Sequence, residues 1–276
     1  MPISGTTHGP RVVARYVFLV VVAILVLFPI YVMVVGAFKP GNKVLQDPLL
    51  PSSFTLDTLR QAWTDGKLGR ALVNSTVVAT VVTVAQLTTS LLSAYAFAFL
   101  RFPGRTFVFG IFLSTLLVPF EATVVVNRST IQSLDWLNSY AGLAVPFVAT
   151  AFGTFLVRQV FLTLPRELHE AARMDGLGHL GFLREVAMPL ARPTLGALAL
   201  FSFLSSWNQY LWPTLVSTDD DWNTVQSGLR ALSQAQIDKP NLVIAGTVIV
   251  ALPIFVVLLV FQRQLIRGLT AGAVKG

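Results

Sequence analysis

Seven residues, Glu170-Ala171-Ala172-Arg173-Met174-Asp175-Gly176, place opposite charges around a pair of alanines, and Val186-Ala187-Met188-Pro189 follows after nine more residues. No bond-making chemistry follows from that set. Ala171 and Ala172 let another protein's groove approach the backbone, and Glu170 and Arg173 rim the bare surface with charge, so the chemistry is docking. An ordinary interfacial helix lying on a membrane is the alternative. His169-Glu170 opens like a zinc-protease motif, but Arg173 stands where the second histidine belongs. His8 and His179 are not spaced as ligands, so no metal is expected. The chain has no phosphate loop: Gly66-Lys67 lacks both the upstream glycine and the following hydroxyl. With no cysteine, disulfides and thiol nucleophiles are excluded as well.

A second group of residues has the chemistry of solute recognition. Ser202, Ser205, Ser206, Trp207, Asn208, Gln209, Tyr210 and Trp212 precede Pro213. Aromatic faces can stack on sugar-like rings or cage a cationic head group, and amides can bond hydroxyls and phosphate oxygens. An aromatic belt at a membrane interface is the competing reading. Ser75, Ala79, Thr83, Gln86, Ser90 and Ser93 recur at helical steps. Most of them suit helix packing, with Asn74 and Gln86 as candidates for a solute path. Glu121, just after Pro119, is an acid beside a membrane cavity or in the headgroup zone.

These residues are set in an oily chain. Of its 276 residues, 54% are hydrophobic and only 12% charged, with a mean hydropathy of +0.69. A water-soluble domain carries about a quarter charged residues. Six apolar stretches are long enough to cross a bilayer: 12–38, 71–100, 106–126, 140–162, 193–216 and 242–261. The expected fold is therefore an all-α membrane protein of one domain over 1–276, with six transmembrane helices. The first stretch is too long for a signal peptide's apolar region and is read as retained. A short separate helix over Glu167 to Asp175 is expected within the loop 163–192, between spans four and five. Pro165 and Glu167 suit its start, and Gly176 suits a left-handed stop. The loop from Lys39 to Arg70 reads as a small external cap with a short helix near Leu56 to Trp63.

An even number of spans puts both termini on one side. With the N-terminus inside, twelve of the twenty lysines and arginines fall on the inner segments and nine of the thirteen acids on the outer ones. Both termini, and the loop 163–192, are thus expected in the cytoplasm. The net charge of +7 reads as a topology signal facing anionic lipid, without nucleic-acid binding.

The whole pattern from Glu170 to Pro189 resembles the cytoplasmic signature loop of ABC importer permeases. Arg101-Phe102-Pro103-Gly104-Arg105, Phe152 to Gln159 and Pro165-Arg166-Glu167-Leu168 resemble the carbohydrate-uptake class of these permeases. Leu134 to Leu143, Trp207 to Leu215 and Arg267-Gly268-Leu269 are most similar to the E-type permease subunits of glycerol-3-phosphate uptake systems. The resemblance covers nearly the whole chain, although Asn127 stands where many members have proline.

It implies a multi-pass protein of the bacterial cytoplasmic membrane that carries glycerol-3-phosphate or glycerophosphodiesters by alternating access. It also implies a second, different permease subunit, an ATPase homodimer and an external solute-binding protein as partners. ATP and magnesium would sit on the ATPase, with no cofactor on this chain, which would not itself be an enzyme. Glu170, Ala171, Ala172, Arg173, Asp175 and Gly176 would be the coupling residues. Asn74, Gln86, Glu121, Trp207, Asn208, Gln209, Tyr210 and Trp212 are the solute-path candidates. Uptake of di- or oligosaccharides or amino sugars is the alternative. A secondary transporter is the second, though it calls for inverted repeats or broken helices with intramembrane acids.

Overall fold

Apolar runs form helices here because a helix satisfies its own backbone polar groups where no water is available. In the computed structural model, residues 10–40, 49 and 53–271 are described, and every regular element among them is helical. The elements are α1 (Pro10–Ala37), α2 (Asp57–Asp65), α3 (Leu68–Phe99), α4 (Arg105–Leu117), α5 (Phe120–Ser133), α6 (Tyr140–Phe147), α7 (Ala151–Thr163), α8 (Arg166–Met174), α9 (His179–Leu190), α10 (Arg192–Trp207), α11 (Leu211–Val216), α12 (Val225–Ala235) and α13 (Pro240–Ala271). His8, Lys275, the loop stretches 41–48 and 50–52 and the tail beyond Ala271 lie outside the described residues.

Three stretches, Val12–Ala37, Leu68–Phe99 and Pro240–Gln262, are each long and apolar enough to cross a membrane. The number rises to six if each of three bent pairs counts as one span. Three of the stretches expected as spans are each broken into two helices. The stretch expected over 106–126 breaks after Leu117, and α5 leaves α4 at 94°. Val118 is extended (ψ 110°) because the ring of Pro119 disfavours the helical region for the residue before it. The stretch expected over 193–216 ends as a helix at Trp207, and α11 is a separate element. Met188-Pro189 closes α9, and an 81° bend at Ala191 separates α9 from α10. Between α6 and α7 the bend is 46°.

The chain divides into two compact units, Met1–Gly66 with Leu229–Val250, and Lys67–Gly228 with Ala251–Gly276. In the first, Ala37, Ala62, Leu232, Leu242 and Ala245 form the core. Thr58 and Asn241 donate to the carbonyl of Lys39, at 2.8 and 2.9 Å, and so fasten the end of α1. The helix expected within the 39–70 loop is α2. Along most of its length α1 exposes apolar side chains on all sides, as a helix surrounded by lipid or partner chains must.

In the second unit α7 and α10 both pack along α3. Small residues permit the approach: a Cβ on Gly153 would collide with the Ser90 hydroxyl and come within 3.1 Å of Leu198. One core gathers Tyr95, Val157, Phe161, Ala172, Phe182 and Ala187 near the C-terminal end of α3, and the other gathers Val78, Val82, Leu143 and Trp212 nearer its N-terminal end.

Candidate functional site: the α8 loop and the polar cluster around α3

Sequence alone dictates much of α8. Pro165 is extended and directs the chain into the helix, with Glu167 in the first turn and Arg173 in the last, each complementing the helix dipole. Its end is a Schellman motif. Leu177 N–H donates to the Ala172 carbonyl at 2.9 Å and Gly176 N–H to that of Arg173 at 3.1 Å, with Gly176 left-handed at φ +80°. A Cβ on Gly176 would meet nothing within 4 Å, so what this glycine supplies is its backbone conformation.

Helical periodicity sorts the loop's residues. His169 and Ala172, three apart, share the inward face. Ala172 is buried against the core at the base of α3, so its small side chain serves close packing of α8, and only Ala171 of the pair is exposed. The His169 ring lies parallel to that of Phe99, 5.8 Å between centroids and 8° between planes, and meets the Phe182 ring edge-on at 4.7 Å. Tyr95 and His179 share a hydrogen bond of 2.8 Å between Oη and Nδ1. Two posts thus tie the loop to the end of α3. Glu170, Ala171, Arg173, Met174, Asp175 and Gly176 all remain exposed.

Met174 and Leu180, 83% and 75% exposed, are apolar residues that the motif did not single out. Their signal was an oily side chain within a polar loop. Together with the charged rim, they make a surface suited to burial against another protein.

The solute-path candidates separate into two sets. Asn74 is fully buried. Its amide donates to the carbonyls of Asp221 and Asn223 at 2.9 and 3.0 Å, and its oxygen accepts from the Tyr140 hydroxyl at 3.0 Å. Gln86 donates to the Phe147 carbonyl at 2.8 Å. Trp212, also fully buried, donates its indole N–H to the Gly142 carbonyl at 2.9 Å and packs edge-on to Phe120 and Phe147. The polar groups of these three bind the scaffold.

The second set comprises Trp207, Asn208, Gln209 and Tyr210, all at the break between α10 and α11. Asn208 and Tyr210 are exposed, Gln209 is half-buried and Trp207 is buried. The Trp207 ring stacks on Phe203 at 5.6 Å, and its indole nitrogen lacks a partner among the described residues. Glu121 is exposed in the first turn of α5.

Near Asn74, Lys67 and Asp221 pair at 2.9 Å and Arg70 donates to the Asp221 carbonyl at 3.2 Å. Their hydrogen bond raises the ammonium pKa of Lys67 and lowers the carboxyl pKa of Asp221. This clasp ties the N-terminal end of α3 to the segment before α12.

The comparisons with known proteins agree with this architecture. The family model described as "Binding-protein-dependent transport system inner membrane component" matches residues 9–270. The sn-glycerol-3-phosphate transport system permease protein UgpE of Yersinia pestis bv. Antiqua (strain Antiqua) is 38% identical over 92% of this chain and 94% of its own length. The protein of the same name from Pectobacterium atrosepticum is 39% identical over the same shares. Among solved structures, a chain of a bacterial ABC transporter involved in import of the acidic polysaccharide alginate superposes with a TM-score of 0.78. That superposition covers 95% of this chain and 99% of the other at 22% identity.

Proposed function

The chain belongs to the family of binding-protein-dependent transport system inner membrane components, and from that membership we propose that it is the permease subunit carrying sn-glycerol-3-phosphate or its diesters in an ABC importer. The observation that carries the solute class is the 38–39% identity, over more than nine-tenths of the chain, to permeases named for sn-glycerol-3-phosphate transport. In this reading each bent pair is one crossing, the spans number six, and both termini lie in the cytoplasm with the α8 loop.

The loop is the coupling element. Glu170, Ala171, Arg173, Asp175 and Gly176 meet a groove of a separate ATPase dimer, and Ala172 keeps α8 seated on α3. ATP and magnesium stay on that dimer, so this chain has no ATPase site of its own. A second, different permease completes the pathway, and an external binding protein delivers solute. Binding and hydrolysis of ATP shift the pair of permeases between inward- and outward-facing states because the coupling contacts differ in strength between the two. On the solute side the candidate contacts are Glu121, Trp207, Asn208, Gln209 and Tyr210. Asn74, Gln86 and Trp212 frame the pathway through the carbonyls they hold.

The test is ATP hydrolysis and uptake by the reconstituted complex with glycerol-3-phosphate, a glycerophosphodiester or a disaccharide. Stimulation by the first two is expected. Stimulation by disaccharides alone rejects the solute assignment and leaves the permease role intact.

A further inference from the structure

Where α3 and α7 end and α4 begins beside α8, a groove of about 1680 Å³ opens in the second unit. Four arginines, Arg101, Arg105, Arg166 and Arg173, line it against a single acid, Glu170. Only Arg105 has a structural use: it donates to the carbonyls of Leu100 and Ala98, at 3.1 and 3.5 Å, and caps the end of α3. Arg101, Arg166 and Arg173 make no hydrogen bond or ion pair among the described residues. The same groove has an oily margin, because Phe107, Leu162 and Phe102 line it and are 72%, 50% and 37% exposed.

Cations beside exposed aromatic and aliphatic side chains, at the ends of apolar helices, match an amphiphile with an anionic head. A free phosphate ion would have no use for the apolar margin. Guanidinium groups suit phosphate because their planar donors bond two oxygens at once, and basic pockets between membrane helices hold lipid head groups on the same principle.

We propose that this groove binds the phosphate head group of an anionic phospholipid, with Arg101 and Arg166 as principal contacts and the Phe102–Phe107 margin against its acyl chains. The site rests on α3 and α7 crossing the membrane, as the permease reading holds. A lipid wedged there lies against α8 beside Glu170 and Arg173, which also rim the surface that docks the ATPase.

The test uses the full complex, reconstituted in bilayers of equal phosphatidylglycerol and phosphatidylethanolamine, re-extracted and analysed for retained lipid by mass spectrometry. Wild type is expected to retain phosphatidylglycerol selectively, and R101Q/R166Q to lose about 30-fold of that preference, since each basic residue near an anionic surface contributes about fivefold. The charge-conserving pair R101K/R166K retains the lipid, which separates loss of the site from loss of the fold. Equal retention by the glutamine pair overturns the proposal, as does parallel loss of both lipids or displacement by millimolar inorganic phosphate. Loss of the ATPase subunit with lipid retained overturns it too, by assigning the groove to the subunit contact. Absence of an ATPase from the wild-type preparation would count against the permease reading and is scored separately from lipid.

Discussion

Asn74 shows how far a polar residue's role depends on what it touches. By sequence it is an amide inside an apolar helix, which suggests a solute contact, yet its three hydrogen bonds all close on Asp221, Asn223 and Tyr140. Removing the amide takes a partner from the part-buried Asn223 carbonyl and Tyr140 hydroxyl, each loss costing about 1–3 kcal/mol, while the Asp221 carbonyl keeps Arg70 as a donor. Asn74→Ala should therefore lower the thermal stability of the purified complex clearly, and Asp221→Asn by much less, because the Lys67–Asp221 pair is exposed. The pair also has a predictable pH window. The depressed carboxyl pKa of Asp221 makes its contribution full above the normal carboxylate range and lost as pH falls through the folded value. The raised pKa of Lys67 makes its share full below the normal lysine range and lost as pH rises through the folded value. Stability profiles of wild type and Asp221→Asn should converge on acidification; a constant difference from pH 7 down to pH 2 would refute the linkage. At Gly176 the left-handed backbone predicts that Gly176→Ala costs about 1–2 kcal/mol of local strain without a clash. A bulky residue there should in addition reduce solute-stimulated ATP hydrolysis.

Among elements, glycines at two positions behave oppositely for reasons visible only in three dimensions. Gly153 lies where α7 meets α3, and Gly110 lies on α4 with nothing near its missing Cβ. Gly153→Ala should destabilise by about 1–3 kcal/mol through overpacking. Gly110→Ala should be neutral or stabilise by about 0.5–1 kcal/mol through helix propensity. Thermal unfolding of the two variants in one detergent checks the contrast, and equal shifts would argue against a tight α3–α7 contact. The helical nature of the chain, the position of α8 and its glycine stop were legible in the sequence because each follows from local rules of hydropathy, dipole and backbone conformation. The breaks inside 106–126 and 193–216 were not, since a window of apolar residues reads the same whether its helix is straight or broken. The inward turn of Ala172 was missed for a related reason. Two adjacent alanines look alike until α3 provides an inside.

On the scale of the molecule, α3 connects the two regions that matter. Its 32 residues span about 48 Å, beyond the roughly 30 Å of a bilayer's hydrocarbon core. The Asn74 clasp holds its N-terminal end, and the Tyr95 and Phe99 posts hold α8 at the other. The clasp and the α8 loop should therefore face opposite compartments, and the charge distribution predicts that the loop is inside. The chain has no cysteine, so single cysteines can report this without background. Asp220 and Met174 are both exposed and lie near opposite ends of α3. An impermeant maleimide should label Asp220→Cys in intact spheroplasts and Met174→Cys only in inverted vesicles. The ATPase subunit should protect Met174→Cys by about tenfold or more, as a side chain buried in a docked interface requires, and leave Asp220→Cys unchanged. Labelling of both cysteines from one side would show that α3 does not cross the membrane. Labelling of Met174→Cys from outside would reverse the orientation, and equal labelling with and without the ATPase would remove α8 from the docking surface.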